Sequence, residues 1–319
     1  RSANEFGNFL YSAVYSNVTF FDASFYFAAK ALNTVFLFAF AMAVLVVARK
    51  YLPSWAAAAC GITTVLSATT LYASVFMPEM MFFALSAWAV TLFVVAWEAQ
   101  RASRYLFFAS LVMLVLAGLT KPHAIFLLTG IMAFTALMLV VKRVTYRRGM
   151  ALLLCFPVGY SLLKMFIGYS LAGPAGLSLI GPAYEKSLVS FLNGLNSFSQ
   201  GALSASAGAM NPVETKGVTA FALFVFVQIF LLAIGFSFMT LGLPFLLVRP
   251  ISKLDDYQLL ISSISVVYII AIAGFTAFVS FTGDDHSSRL LGRYFEFLVP
   301  LVLVACFMEI RKRNEVVGL

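Results

Sequence analysis

The sequence predicts an all-α fold, a polytopic transmembrane helical bundle with about nine spans, and three observations carry that prediction. Apolar residues make up 62% of the 319 and charged residues 11%, at a mean hydropathy of +0.97, more apolar surface than one water-facing core can hide. The apolar stretches are continuous, about 17 to 30 residues each, which suits helices that satisfy their own backbone in hydrocarbon and not the alternating strands of a barrel. The basic residues fall in small clusters between these stretches, so the net charge of +8 reads as a topology signal. A nucleic-acid partner is not expected.

In chain order, residues 1–30 include the aromatic-rich, sparsely charged run "NEFGNFLYSAVYSNVTFFDASFYFAAK", which suits extracytoplasmic interfacial helices. Spans are expected near 31–48, 54–76, 78–97, 105–120, 122–141 and 150–170, giving a first block over 31–170. Residues 171–217 are rich in Gly, Ser, Ala and Asn, with Pro174, Pro182 and Pro212, the composition of a long extracytoplasmic loop. The last block, 218–319, holds spans near 218–248, 257–281 and 294–310 and a short cytoplasmic tail.

Five connecting segments carry the basic clusters: Arg49 and Lys50; Arg101 and Arg104; Lys142, Arg143, Arg147 and Arg148; Arg249 and Lys253; Arg311, Lys312 and Arg313. The positive-inside rule makes these cytoplasmic, which places every other connection outside. The same alternation puts Arg1 outside. Because residues 1–30 hold no signal peptide and the chain does not begin with Met, an upstream span and loop are expected. Cys60, Cys155 and Cys306 lie inside apolar runs at unrelated spacings, so neither a disulfide framework nor a zinc motif is read from them. No heptad, solenoid period or inverted repeat is legible.

The unusual polar residues all fall on the outer corners. In "VFMPEMMFF", Pro78 suits a first helical turn and Glu79 suits the positive end of the helix dipole, yet a carboxylate at membrane depth is also a functional candidate. In "AGLTKPHAIF", Lys121 and His123 share a corner with almost no loop; the lysine either snorkels or joins the imidazole in a fixed anion site. In "TGDDHSSRLLGRYFEFLVP", Asp284, Asp285 and His286 have the hard-ligand chemistry of a divalent cation without a spacing motif, so a cation is the one cofactor considered. Arg289, Arg293, Tyr294 and Glu296 follow, the last three running into the apolar segment, where a guanidinium needs a partner or a ligand. Lys164 and Gln228 are isolated polar positions within spans.

These corners, in this order, resemble the GT-C superfamily of integral-membrane glycosyltransferases, the group that includes protein O-mannosyltransferases and the lipid A aminoarabinose transferase. The resemblance rests on "FLYSAVYSNVTFF", "NTVFLFAFAMAVLVVARKYL" with the Ala-rich span after it, "SVFMPEMMFFAL", "AGLTKPHAIFL" and "GRYFEFLVPLV", and covers most of the chain. Two positions depart from the family pattern: Pro78 precedes Glu79 instead of following it, and Phe9 stands where proline is usual. The family's acidic catalytic motif lies in a first external loop, upstream of this chain's first residue; Glu5 is acidic but nothing places it in that motif.

The resemblance implies transfer of a sugar from a polyprenyl-phosphate donor to an acceptor hydroxyl on a glycan, lipid or protein, at the extracytoplasmic face of a bacterial plasma membrane. Lys121, His123, Arg289, Arg293 and Tyr294 would then meet the donor phosphate, and Glu79 would act as a catalytic carboxylate or anchor Lys121. Asp284, Asp285 and His286 would serve the acceptor or a metal. Two other classes fit many spans: a lipid or polysaccharide transporter, which should carry charges near mid-membrane and a repeat, and a non-catalytic subunit of a glycosyltransferase complex.

Overall fold

The computed structural model describes residues 8–18, 24–66, 73, 77–99, 103–181, 185, 189, 250–282 and 296–317. Among them are nine α-helices and no strand: α1 (Phe9–Ser16), α2 (Phe25–Tyr51), α3 (Ser54–Leu66), α4 (Glu79–Glu98), α5 (Ser103–Thr120), α6 (Ala124–Val140), α7 (Tyr146–Ala172), α8 (Asp256–Thr282) and α9 (Leu298–Val317). Three stretches, Phe25–Tyr51, Glu79–Glu98 and Tyr146–Leu177, are long and apolar enough to cross a membrane, which marks an integral membrane protein. Four shorter apolar helices accompany them. The expected span at 218–248 lies outside the described residues, as does part of the one at 54–76.

Helix α2 begins at Phe25, not at residue 31. The apolar run is interrupted by Lys30, but a helix is ended by its backbone and not by one charge; the Lys30 ammonium sits 4.9 Å from the Tyr26 ring centroid and the helix continues. It stops at Leu52, which is extended because Pro53 disfavours a helical residue before it. Exposed apolar stripes remain on two helices, Val35, Phe38, Met42 and Val46 on α2 and Leu154, Val158, Leu162 and Phe166 on α7, at the spacing of one helix face turned toward lipid.

Helix α4 is buried nearly all round and forms the centre of the bundle, packed between α2 and α5. Phe93 contacts the rings of Trp97, Phe107, Phe134 and Phe156 at centroid distances of 5.3 to 6.2 Å, tying α4 to α5, α6 and α7. Nearer its start, Phe82 meets Phe297, which also meets Tyr268 of α8. Helices α6 and α8 approach closely at Gly130, where a β-carbon would come within 2.7 Å of the Ile264 α-carbon.

One end of the bundle gathers the basic clusters. Lys50 pairs with Glu98 at 2.7 Å, Lys312 with Asp255 at 2.6 Å and Arg143 with Asp256 at 3.3 Å. Arg143 also donates to the carbonyls of Leu254, Ile251 and Ser252, and Arg311 to that of Tyr51. These groups are partly exposed, so each pair contributes under about 1 kcal/mol, but together they lace α2, α4, α6, α8 and α9. A cleft of about 600 Å³ opens here, lined by Tyr51, Glu98, Arg143, Lys253, Asp255 and Asp256 among others, with Arg143 paired to Asp256 and the Tyr51 hydroxyl donating to Glu98.

Arg143 is aimed by the end of α6. Its N–H bonds to the Met138 carbonyl at 2.9 Å while Lys142 adopts φ 58°, the Schellman arrangement with lysine where glycine is usual. Lys142→Gly is expected to raise stability by about 0.5–1 kcal/mol, because the left-handed strain on a β-carbon exceeds glycine's entropic cost. Thermal unfolding in detergent reads this; a lower midpoint would show that the lysine side chain matters more than its backbone.

Candidate functional site

The opposite end of the bundle holds the site. Pro78, at φ −71°, precedes the first residue of α4, and its carbonyl accepts the Phe82 N–H at 3.0 Å, so the proline starts the helix as its ring geometry favours. Glu79 follows in the first turn, at the positive end of the helix dipole. Its side chain is only 3% exposed.

Across from it, α5 ends at Thr120 and α6 starts at Ala124, leaving Lys121, Pro122 and His123 as the whole corner. The corner is held by backbone bonds, Lys121 N–H to Ala117 at 2.8 Å and Phe126 N–H to His123 at 3.0 Å. From this fixed position the Lys121 ammonium donates to Glu79 Oε1 at 2.7 Å, with the lysine side chain 8% exposed. A snorkelling lysine would reach for water; this one is buried against a carboxylate from another helix. Removing either partner of such a pair strands a charge in low dielectric, at about 3–5 kcal/mol.

His123 is buried beside the pair's corner, its ring edge-on to Phe126 at 5.9 Å. Its carbonyl accepts the Tyr268 hydroxyl at 3.1 Å, fastening the corner to α8. Helix α1 lies over the start of α4: Tyr15, Val18, Ala29 and Met81 form a small apolar cluster, and the Tyr15 hydroxyl donates to the Asn33 side chain. Tyr11, its ring tilted by 34° against that of Tyr15 at 4.4 Å, lies within electrostatic reach of Glu79. Burial pushes the Tyr11 phenol well above its ordinary range, and Tyr15 and the Glu79 carboxylate add to the shift, so Tyr11 stays protonated at neutral pH.

Of the residues singled out from the sequence, Glu79, Lys121 and His123 come together. Glu296 is described just before α9, its carbonyl accepting the Val299 N–H at 3.2 Å. Asp284, Asp285, His286, Arg289, Arg293 and Tyr294, like Glu5 and Gln228, lie outside the described residues. Among the described residues no group of three or more His, Cys, Asp or Glu side chains is placed to hold a metal ion. Tyr11 and Tyr268 escaped the sequence reading. Tyr11 and Tyr15 do carry a signal, one helical turn apart in "FLYSAVYS", but Tyr268 is a single tyrosine in an apolar run.

No family model matches this chain, and no curated protein or solved structure is similar enough to be matched with it.

Proposed function

We propose that this chain is a GT-C-type membrane glycosyltransferase, with nine spans, that moves a sugar from a polyprenyl-phosphate donor to an acceptor hydroxyl at the extracytoplasmic face of a bacterial plasma membrane. The observation that carries the reading is the buried Lys121–Glu79 pair at the end of the bundle opposite the basic clusters. A charged pair is costly at membrane depth, and ionisable side chains there mark substrate sites more often than scaffolding. The motif resemblance supports the same assignment.

The chemistry suits the geometry. In transfer, the bond between the anomeric carbon and the phosphate oxygen breaks, a bond from the acceptor oxygen forms, and the acceptor proton passes to a carboxylate base. Negative charge grows on the departing phosphate, and a cation already fixed and desolvated favours that charge over the ground state. An ammonium has three donors, so Lys121 can serve Glu79 and a phosphate oxygen at once. Glu79 is then a positioning residue that keeps Lys121 charged and aimed. His123, Arg289, Arg293 and Tyr294 are assigned to the same phosphate, and Asp284, Asp285 and His286 to the acceptor or a divalent cation.

Reconstitution tests the reading. The full chain in proteoliposomes, given a radiolabelled polyprenyl-phosphate sugar and envelope acceptors, is expected to release polyprenyl phosphate as label appears on the acceptor. Donor that crosses the bilayer intact, with no cleavage, would make the protein a transporter instead.

A further inference from the structure

Lys164 sits inside the apolar helix α7, yet it is only 1% exposed and takes no part in the site described above. Its ammonium donates to the Leu179 carbonyl. The N–H of the same residue, Leu179, donates to Glu185 Oε1 at 3.1 Å, and the Glu185 carboxylate lies within electrostatic reach of Lys164. Both backbone polar groups of one residue are thus held by oppositely charged side chains, one from the bundle and one from the chain beyond it.

The intervening segment is built to fold back. Gly173, at φ 60°, turns the chain out of α7 into a short 3₁₀ turn, Gly173–Leu177. That turn lies backbone to backbone on the helix: a β-carbon on Gly176 would come within 1.9 Å of the Gly168 carbonyl oxygen. Ser178 Oγ accepts the Gly181 N–H at 2.7 Å and closes the strap.

We propose that Lys164 and Glu185 form a latch that fastens residues 173–181 across the end of α7. A leucine or methionine would fill the position of Lys164 at no electrostatic cost, so the charge has a task. Its task is to hold a backbone carbonyl that the strap would otherwise turn to water. The latch stands on these contacts and does not depend on the sugar-transfer reading.

Hydrogen exchange of the full chain in nanodiscs tests it. In Lys164→Met the amides from Ser178 to Gly181 are expected to exchange at least about 10-fold faster while those of α4 and α5 keep their native rates, and Lys164→Arg is expected to retain most of the protection. Glu185→Ala changes only a partly exposed residue outside the bundle and is expected to release the Leu179 amide by a similar factor. Native-level protection in either variant overturns the latch. Should Lys164→Met not be recovered folded, Glu185→Ala decides alone.

Discussion

Lys121→Ala is expected to lower sugar transfer by about 10²-fold or more, because a desolvated cation on the leaving phosphate contributes about 3 kcal/mol in the transition state. The ion pair adds a second consequence. With the lysine gone, Glu79 is left buried without its partner, so the single variant should also lose about 3–5 kcal/mol of stability. The two effects separate in the double variant Lys121→Ala with Glu79→Gln, which removes the stranded charge. Thermal stability should then recover in large part while turnover stays low. Lys121→Arg keeps the charge but changes its shape, so partial activity would indicate electrostatics and none would indicate close fit. Wild-type turnover in purified Lys121→Ala, at saturating and limiting donor, would remove Lys121 from the site.

A matched pair of glycines gives the second large effect. Gly130→Ala is expected to destabilise by about 1–3 kcal/mol, since its methyl group would sit 2.7 Å from the Ile264 α-carbon and α6 and α8 would have to part. Gly61→Ala, whose nearest neighbour would be Leu45 Cβ at 3.7 Å, is expected to stabilise by up to about 1 kcal/mol through helix propensity. Parting α6 from α8 also strains the Tyr268–His123 bond, so Gly130→Ala should disturb the site that Gly61→Ala leaves alone. Apparent melting temperatures in detergent read both; shifts of the same sign would show that the close approach is not tight.

The apolar runs made the helices legible, because continuous hydrophobicity and helix length are both written locally. Boundaries were less so: a charge such as Lys30 marks where hydrocarbon becomes unfavourable, not where backbone hydrogen bonding ends. At the site, Glu79 and Lys121 stood out individually as ionisable residues on apolar corners. That they touch was not legible, since 42 residues separate them and the contact depends on how α4 packs against α5. The same reason hid Tyr11, which comes within electrostatic reach of Glu79 only because α1 lies over the start of α4. Lys164 looked like an isolated polar residue for a related reason: its partners, Leu179 and Glu185, come from a segment whose composition reads as loop.

The central claim is that the donor's phosphate is held at the Glu79–Lys121 end of the bundle. The most direct measurement is a structure of the protein in nanodiscs with a polyprenyl phosphate bound. A phosphate oxygen within about 4 Å of Lys121 Nζ, with Glu79 still in contact with the ammonium, is the predicted result. A phosphate seated in the cleft at the basic end, against Arg143 and Lys253, would contradict it.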